Sequence, residues 1–319
     1  MTKRKPDKTA NKGRAAAAIG APEVAVQPIG AEPNGRPGTS KPSPGLYLIA
    51  TPIGNSRDIT LRALDVLSNA DVIACEDTRV TSKLLAIHGI SKPLVAYHEH
   101  NAEKAGAGII ERLKNGEIVA LVSDAGTPMI SDPGYRLVRA CTDAALYVTH
   151  LPGASSVLMG LVLSGLPTDR FMYVGFPPVK GGKRRTFLDD IKDLRTTLVF
   201  LESPKRLAAS LADMVTVLGD RDAAVGRELT KMFEEVRRGS LADLAEHYRV
   251  AGAPKGEVTV IVGGPEKAEA IGGDELDGLI LAALKDASVR DAATAIAATT
   301  GVPRRDVYAR ALILASETK

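Results

Sequence analysis

Residues 117–144 read EIVALVSDAGTPMISDPGYRLVRACTDA, and this stretch decides the class of fold. It begins with an apolar run typical of a buried strand, continues through a loop of small residues, and ends in a segment that favours a helix. Within the loop SDAGTPMISDPG, residues 123–134, small side chains at 125–127 leave the backbone accessible, and two prolines stiffen the turn. Such a loop can present N–H and C=O groups to a ligand, while its two aspartates disfavour a polyphosphate.

The alternation of strand and helix extends on both sides of this stretch. From Gly45 the apolar runs GLYLIA, DVIAC, PLVAY, EIVALV and YVTHL alternate with helical segments. This pattern predicts a mainly parallel sheet with helices on its faces and ligands at the carboxyl ends of its strands. A second α/β run begins near Phe171, with FMYVGF, TLVFLE, AAVGREL and GEVTVIVGG as strands and helices near 184–194 and 204–218.

Composition separates both ends of the chain from this α/β body. Residues 1–44 contain seven Pro and five Gly and predict a disordered basic tail. The two α/β runs predict domains at 45–168 and 169–266. Residues 274–319 predict three helices with a glycine-containing turn, a helix-turn-helix-like unit. Arg304, Arg305 and Arg310 form the only basic patch that this unit offers to a nucleic acid; packing is the alternative role.

Charge and cysteine usage restrict the class of protein. The 319 residues carry a net charge of +3, but eight basic and three acidic residues lie in 1–44, which leaves 33 basic and 35 acidic residues elsewhere. A polyanionic partner must therefore meet a local patch. No apolar run approaches a membrane span, and no secretory signal is evident, so we expect no membrane contact. Cys75 and Cys141 lack metal-type spacing and are expected to be buried thiols in a cytoplasmic protein.

The loop after the first strand excludes two common nucleotide motifs. ATPIGNSRDIT, residues 50–60, has one glycine and no lysine, whereas a dinucleotide fold requires G-x-G-x-x-G and a P-loop requires G-K-[ST]. After the fifth predicted strand, LPGASSV at 151–157 is again small and hydroxylated. Three such loops at one sheet edge predict a ligand that needs close backbone approach more than strong counter-charge.

Six motifs occur in an order that resembles the tetrapyrrole methylase superfamily: TPIGNSRDIT, EDTR, HEHN, LVSDAGTPMISDPG, LPGASS and GRELTK. The resemblance runs from about Gly45 to Gly264. It implies two α/β domains of the tetrapyrrole methylase type with a cofactor cleft between them, plus a small C-terminal three-helix domain. It also implies S-adenosylmethionine as cofactor and a homodimer.

More narrowly, the chain resembles the branch of that superfamily that methylates the ribose 2′-hydroxyl of a cytidine in the decoding region of 16S rRNA. This branch implies 16S rRNA or the 30S subunit as partner. Corrin and sirohaem relatives carry G-x-G-P-G-D in the first loop, where residues 50–55 of this chain read ATPIGN, so tetrapyrrole substrates are disfavoured. A precorrin-type C-methyltransferase and a non-enzymatic ribosome assembly factor remain the alternatives.

Carried over position by position, the resemblance implies a set of cofactor contacts made largely by backbone groups. They are Ile53, Ala125, Gly126, Thr127, Ile130, Ser155, Ser156, Leu201, Glu202 and Leu229. An apolar slot lined by carbonyl and N–H groups suits the sulfonium and adenine of S-adenosylmethionine better than a lysine clamp does.

Transfer of a methyl group to a hydroxyl needs alignment and a general base. EDTR and HEHN both follow strands, and His98 is our first choice of base, with Glu76 and Asp77 as further candidates. Structural alternatives are a hydrogen bond for His98 and a salt bridge between Asp77 and Arg79. No third ligand accompanies the two histidines of HEHN, so we expect no metal. The residues expected to contact RNA are Arg79, Asn101, Lys183, Arg184, Arg185 and Lys231; solvated surface charge is the alternative.

Overall fold

The computed structural model describes residues 41–265 and 273–317, so nearly all of the predicted tail at 1–44 lies outside the described residues. The described part divides into two compact units. The first contains residues up to Ala50 together with Thr60–Pro152, and the second contains Thr51–Ile59 and the chain from Gly153 onward.

The first unit is built on a five-stranded sheet whose strand order is β3-β2-β4-β1-β5. Every neighbouring pair in it is parallel, which confirms the predicted parallel sheet. Strands β1, β2 and β4 are buried along their whole length, as is typical of a sheet covered on both faces. The strands are β1 Gly45–Ile49, β2 Val72–Cys75, β3 Leu94–Ala96, β4 Ile118–Val122 and β5 Val148–Leu151.

Four helices accompany this sheet: α1 Leu61–Asn69, α2 Thr78–Ile87, α3 Ala102–Lys114 and α4 Tyr135–Asp143. Their apolar faces pack into one core with the strands, around Leu48, Val119 and Leu137. Helix α2 is not evident from the sequence pattern because five of its first six residues are polar. Cys75 and Cys141 are both buried free thiols, as predicted.

The second unit has a mixed five-stranded sheet in the order β6-β7-β10-β8-β9. Strand β10 runs antiparallel to both of its neighbours, and β6 and β7 are parallel. All four predicted apolar runs form strands, but the edge strand β9 is missed because its sequence, EVRRGS, is mostly polar. The strands are β6 Phe171–Gly175, β7 Thr197–Glu202, β8 Asp222–Arg227, β9 Glu235–Ser240 and β10 Val258–Val262.

Helix α5, Ser156–Ser164, packs against this second sheet and not against the first. A Cβ atom at Gly160 would lie 2.9 Å from Thr259 Cγ2, so the close approach of helix and sheet requires glycine here. The compact units therefore divide at Pro152 and Gly153, whereas the sequence predicts the division after residue 168. Three further helices follow: α6 Gly181–Asp189, α7 Leu207–Leu218 and α8 Leu241–Ala251.

The C-terminal segment forms the three predicted helices: α9 Gly273–Ala283, α10 Val289–Thr300 and α11 Arg304–Glu317. A capping box starts α10, where the Asp291 N–H donates to Ser288 Oγ. Gly301 ends α10 with a left-handed φ of 70°. Ile280, Ile296 and Val307 lie in the shared core. None of the helices in the described ranges is long and apolar enough to cross a membrane.

Candidate active site

The carboxyl edge of the first sheet collects the acidic motifs of the chain. EDTR follows β2, HEHN follows β3 and the loop SDAGTPMISDPG follows β4, and these strands are neighbours in the order β3-β2-β4. The Asp77 N–H donates to Asp124 Oδ1 over 3.0 Å, which ties the first motif to the third. The structure thus brings together, within one unit, residues that lie far apart in the sequence.

A cavity of about 490 Å³ opens at this edge. Glu76, His98 and Asp132 line it, together with Tyr135 and Arg136 from the start of α4. Burial raises the pKa of Asp132 to about 6; a hydrogen bond with Ser123 opposes the rise, while the charges of Glu76 and Asp124 add to it. Burial and the charge of Asp124 likewise raise the pKa of Glu76, and His98 opposes that rise. In both cases the charge of a neighbouring carboxylate adds to the effect of burial, because like charges resist ionising together.

His98 lies beside the carboxylates with a buried, unpartnered ring atom. Its Nδ1 has no hydrogen-bond partner among the described residues. The ring centroids of His98 and His100 are 6.1 Å apart. The first-choice base therefore lies on the same cavity as Glu76 and Asp132, with one ring nitrogen available to another group.

Asp77 caps helix α2, and its contacts disfavour the predicted role as a base. Its carboxylate accepts hydrogen bonds from Arg79 through the backbone N–H, Nε and Nη2, at 2.8, 3.0 and 2.6 Å. The Arg79 hydrogen bonds lower the pKa of Asp77 to about 2, so it is a poor proton acceptor near neutral pH. The salt bridge named as the alternative is therefore the observed arrangement, and the Arg79 side chain remains 85% exposed.

Asn101 holds the HEHN turn closed, and we correct its predicted contact with ribose. Its Oδ1 accepts from the His98 N–H at 2.9 Å, and its Nδ2 donates to the Ala96 carbonyl at 2.9 Å. Both ends of the amide are engaged with the backbone on either side of the turn. Asn101 thereby positions His98.

The loop after β4 carries four of the predicted cofactor contacts: Ala125, Gly126, Thr127 and Ile130. Two of its non-glycine residues, Met129 and Ser131, adopt left-handed φ values of 72° and 65°. Such residues are uncommon and concentrate at functional sites, where the surroundings hold the strain. Ser123 Oγ lies 3.3 Å from the carbonyl oxygens of both Ala125 and Gly126, which fixes the small-residue turn.

The second unit brings together two further loops with predicted cofactor contacts. The Asn55 N–H donates to Thr230 Oγ1 at 3.1 Å, which joins the loop of Ile53 to the loop of Leu229. Glu228 and Thr230 again have left-handed φ values, 49° and 65°. Ile53 and Leu229 are buried, so the two loops offer apolar side chains and a strained backbone.

The remaining predicted cofactor contacts lie at the ends of secondary structure elements in the second unit. Ser155 caps α5 by accepting from the Leu158 N–H, and Ser156 begins that helix. Leu201 and Glu202 end β7. The buried Glu202 carboxylate accepts from Ser210 Oγ and pairs with Arg206, so only its backbone is left for a cofactor.

Arg184 is a structural residue, and its predicted contact with RNA is wrong. It is buried, its Nε donates to Asp213 Oδ2 at 2.7 Å, and its terminal nitrogens reach two backbone carbonyls. Lys183 and Arg185 on either side are exposed, although Arg185 also pairs with Asp213. Lys231 is held by Glu228 at 2.8 Å and Glu257 at 3.3 Å. Lys183, Arg185 and Arg79 keep the most exposure among the basic residues predicted to bind RNA.

The structure gives Asp132 a chemical property that the sequence does not indicate. In the sequence it is only one of two acids in a loop. Its raised pKa arises from burial and from the charge of Glu76, which follows a different strand. The Asp-Pro-Gly sequence at 132–134 was the available signal, because it places a carboxylate just before a turn that opens a helix.

Comparison with known proteins identifies the class. The family model described as Tetrapyrrole (Corrin/Porphyrin) Methylases matches residues 45–245, and the model described as RsmI C-terminal HTH domain matches residues 270–315. The chain belongs to the tetrapyrrole methylase family, with α/β domains on two sheets and a C-terminal helical domain, which confirms the predicted fold class.

Curated relatives of this chain share one name, that of a methyltransferase. A Mesorhizobium japonicum protein named Ribosomal RNA small subunit methyltransferase I is 52% identical over 272 residues, covering 85% of this chain and 92% of the relative. An Erythrobacter litoralis protein of the same name is 49% identical over 274 residues, covering 85% and 96%.

Solved structures show the same fold at lower identity. Diphthine synthase matches 68% of this chain and 89% of its own with a TM-score of 0.53 and 17% identity. Uroporphyrin-III-C-methyltransferase from Thermus thermophilus matches 68% and 93% with a TM-score of 0.50 and 24% identity. At these identities the likeness concerns the fold alone.

Proposed function

We propose that this protein uses S-adenosylmethionine to methylate the ribose 2′-hydroxyl of a cytidine in the decoding region of 16S rRNA. The observation that carries the proposal is the cavity at the carboxyl edge of the first sheet, where Asp132, Glu76 and His98 lie together. The names of the relatives support small-subunit rRNA as the substrate, which implies a cytoplasmic protein.

The residues assigned to the cofactor fit S-adenosylmethionine in their chemistry. In the first unit they are a turn of small residues, 125–127, and Ile130, which lies between the left-handed residues Met129 and Ser131. In the second unit they are the buried side chains of Ile53 and Leu229, the two serines at the start of α5, and the backbone at Leu201 and Glu202. Backbone dipoles and apolar side chains suit a sulfonium and an adenine ring. When bound, the cofactor supplies an electrophilic methyl group.

Asp132 is assigned as the group that accepts the hydroxyl proton. With a pKa of about 6, its carboxylate is largely ionised at neutral pH yet far more basic than an ordinary aspartate. Burial keeps the pKa of Asp132 high, and the charge of Glu76 adds to the rise; His98 lines the same cavity. Asp132 would accept the hydroxyl proton when the cofactor gives up its methyl group and the carbon–sulfur bond of the sulfonium breaks.

Recognition of the substrate is assigned to exposed cations and to a second copy of the chain. Lys183, Arg185 and Arg79 supply donors for phosphates.

Helix α5 is apolar on its outer face as well as its inner one, because Leu158 is 51% and Val162 72% exposed. An exposed apolar helix face favours a protein partner, and the homodimer places a second copy there.

The deciding experiment incubates the purified protein with radiolabelled S-adenosylmethionine and, separately, 30S subunits, naked 16S rRNA or a precorrin. Mass spectrometry of the RNA then locates the label. A 2′-O-methylcytidine in the decoding region is expected. Label in the precorrin alone would establish the C-methyltransferase instead, and binding to 30S subunits without any transfer would establish the assembly factor.

A further inference from the structure

The C-terminal helical domain carries a pocket of its own, outside the candidate active site. It has a volume of about 470 Å³ and is lined by Arg290 at the start of α10 and by Arg304, Arg305 and Tyr308 at the start of α11. All four side chains are exposed. Arg304 and Tyr308 are four residues apart on α11, so they lie on one face of the helix.

A hydrogen-bond relay connects the Arg304 side chain to helix α10 across the turn between α10 and α11. Arg304 Nε donates to Thr294 Oγ1 at 3.0 Å, and Thr294 Oγ1 donates to the Arg290 carbonyl at 2.8 Å. The relay uses only Nε of the Arg304 guanidinium, so its two terminal nitrogens are available to a ligand. The buried core of Ile280, Ile296 and Val307 keeps the helices that carry the relay in place.

The charge of the pocket is not neutralised. Over 41–265 and 273–317, no ion pair joins Arg290, Arg304 or Arg305 to a carboxylate. Nearby Asp291 is engaged with the Ser288 cap. Arg310, which the sequence placed in the basic patch, instead pairs with Asp277. The patch therefore differs from the predicted one: Arg310 leaves it and Arg290 joins it.

We propose that this pocket binds RNA, with Arg290 and Arg305 on successive phosphates and the Tyr308 ring stacked on an unpaired base. Guanidinium groups bind phosphate oxygens in pairs of hydrogen bonds, and an exposed aromatic ring beside them suits a base turned out of a helix. The arrangement favours RNA over an acidic peptide because every nucleotide carries both a phosphate and a planar base, whereas an acidic side chain carries no ring to stack on Tyr308. The choice of RNA rests on the proposed function, whereas the site itself does not include any residue assigned to methyl transfer.

The test measures binding of the full-length protein to a fluorescent single-stranded RNA copied from the decoding region, by anisotropy at several salt concentrations. The double variant Arg290→Ala/Arg305→Ala is expected to weaken binding by about tenfold or more and to lower the slope of log Kd against log salt by about 1.4, since each lost phosphate contact removes about 0.7. Tyr308→Ala is expected to weaken binding by about tenfold with an unchanged slope, and Tyr308→Phe to bind as the wild type does.

Lys285→Ala is the matched control, because Lys285 is an exposed cation in the same domain that does not line the pocket. Circular dichroism melting of each variant verifies folding. If the double variant binds RNA like the control with the same salt slope, the pocket is not an RNA site, whatever the methylation assay shows. If the pocket variants lose RNA binding while the wild type methylates no RNA, the inference holds and the proposed function fails.

Discussion

The two units differ in the surroundings of their carboxylates. In the first unit Glu76, Asp124 and Asp132 lie near one another, and the pKa values of Glu76 and Asp132 are raised. In the second unit the inner carboxylates meet cations, such as Asp213 with Arg184 and Glu202 with Arg206. Carboxylates paired with cations stabilise the fold, whereas carboxylates that are buried near one another have raised pKa values and can accept a proton in a reaction. The contrast supports our proposal that the reactive edge of the molecule lies in the first unit.

The largest effect on the rate of methyl transfer is expected when the carboxylate of Asp132 is removed. Asp132→Asn keeps the shape of the side chain but cannot accept a proton, so we expect the rate of methyl transfer to fall by about 10²- to 10⁴-fold with little change in cofactor affinity. Single-turnover transfer to 30S subunits and calorimetry with S-adenosylmethionine measure the two quantities.

Glu99→Gln is the control for this change, since Glu99 lines the same cavity and is exposed. A near wild-type rate for Asp132→Asn would remove Asp132 as the base. His98→Gln would then be the next variant to assay, because His98 lines the same cavity.

In the second unit, we expect the substitution of a buried charge to change the free energy of unfolding and not the rate of methyl transfer. Arg184→Ala leaves the largely buried Asp213 without its inner partner, and we expect the free energy of unfolding to fall by about 3–5 kcal/mol. The neighbouring Lys183→Ala, on the exposed side of the same helix, should unfold as the wild type does. Urea unfolding of both variants makes the comparison, and equal stabilities would refute the structural role of Arg184.

A smaller effect is expected on stability, which should depend on pH through Asp132. The folded-state pKa of Asp132, about 6, lies above its ordinary value of 3.8, so folding disfavours the ionised form. This cost is absent below about pH 4, grows as the pH rises to about 6, and stays constant above it. After allowance for partial exposure, Asp132→Asn should be about 1–2 kcal/mol more stable than the wild type at pH 8 and equal to it at pH 4. Thermal unfolding at both pH values tests this; an equal difference at both would contradict it.

The smallest effect is expected at Asp77, the one carboxylate of the reactive edge that has a cation. Asp77→Asn keeps an acceptor for the start of α2 but loses the charge that pairs with Arg79. We expect only a slight fall in the unfolding midpoint and an almost unchanged rate of transfer. A rate as low as that of Asp132→Asn would show that Asp77 takes part in the chemistry.

The sequence predicted the frame of the fold better than the chemistry of the site. All five strands of the first sheet were predicted because continuous apolar runs between turn residues mark buried parallel strands. Strand β9 was missed, since a strand at the edge of a sheet has no need of a continuous apolar run. Helix α5 was placed in the first domain because the Gly-Pro segment after it resembles a linker, whereas its glycine-mediated packing is visible only in three dimensions.

Residue types alone did not separate neighbours with different roles. Arg184 and Arg185 are adjacent and chemically identical, yet only the rotation of α6 decides which one is buried. Glu76 and Asp77 are also adjacent, and the helix that begins after Asp77 makes it a cap while Glu76 lines the cavity. A pKa that depends on burial and on charges from two loops, as that of Asp132 does, can be derived only from the distances in the folded chain.

The arginines of β9 have a consequence for solubility. This strand pairs with β8 alone among the described elements, so it lies at the edge of its sheet. An exposed strand edge is a template on which further chains can add strands, and charged side chains are a common protection against such growth. Arg237 and Arg238 place two positive charges on this edge strand, so replacing both with apolar residues is expected to favour aggregation even if catalysis is unchanged.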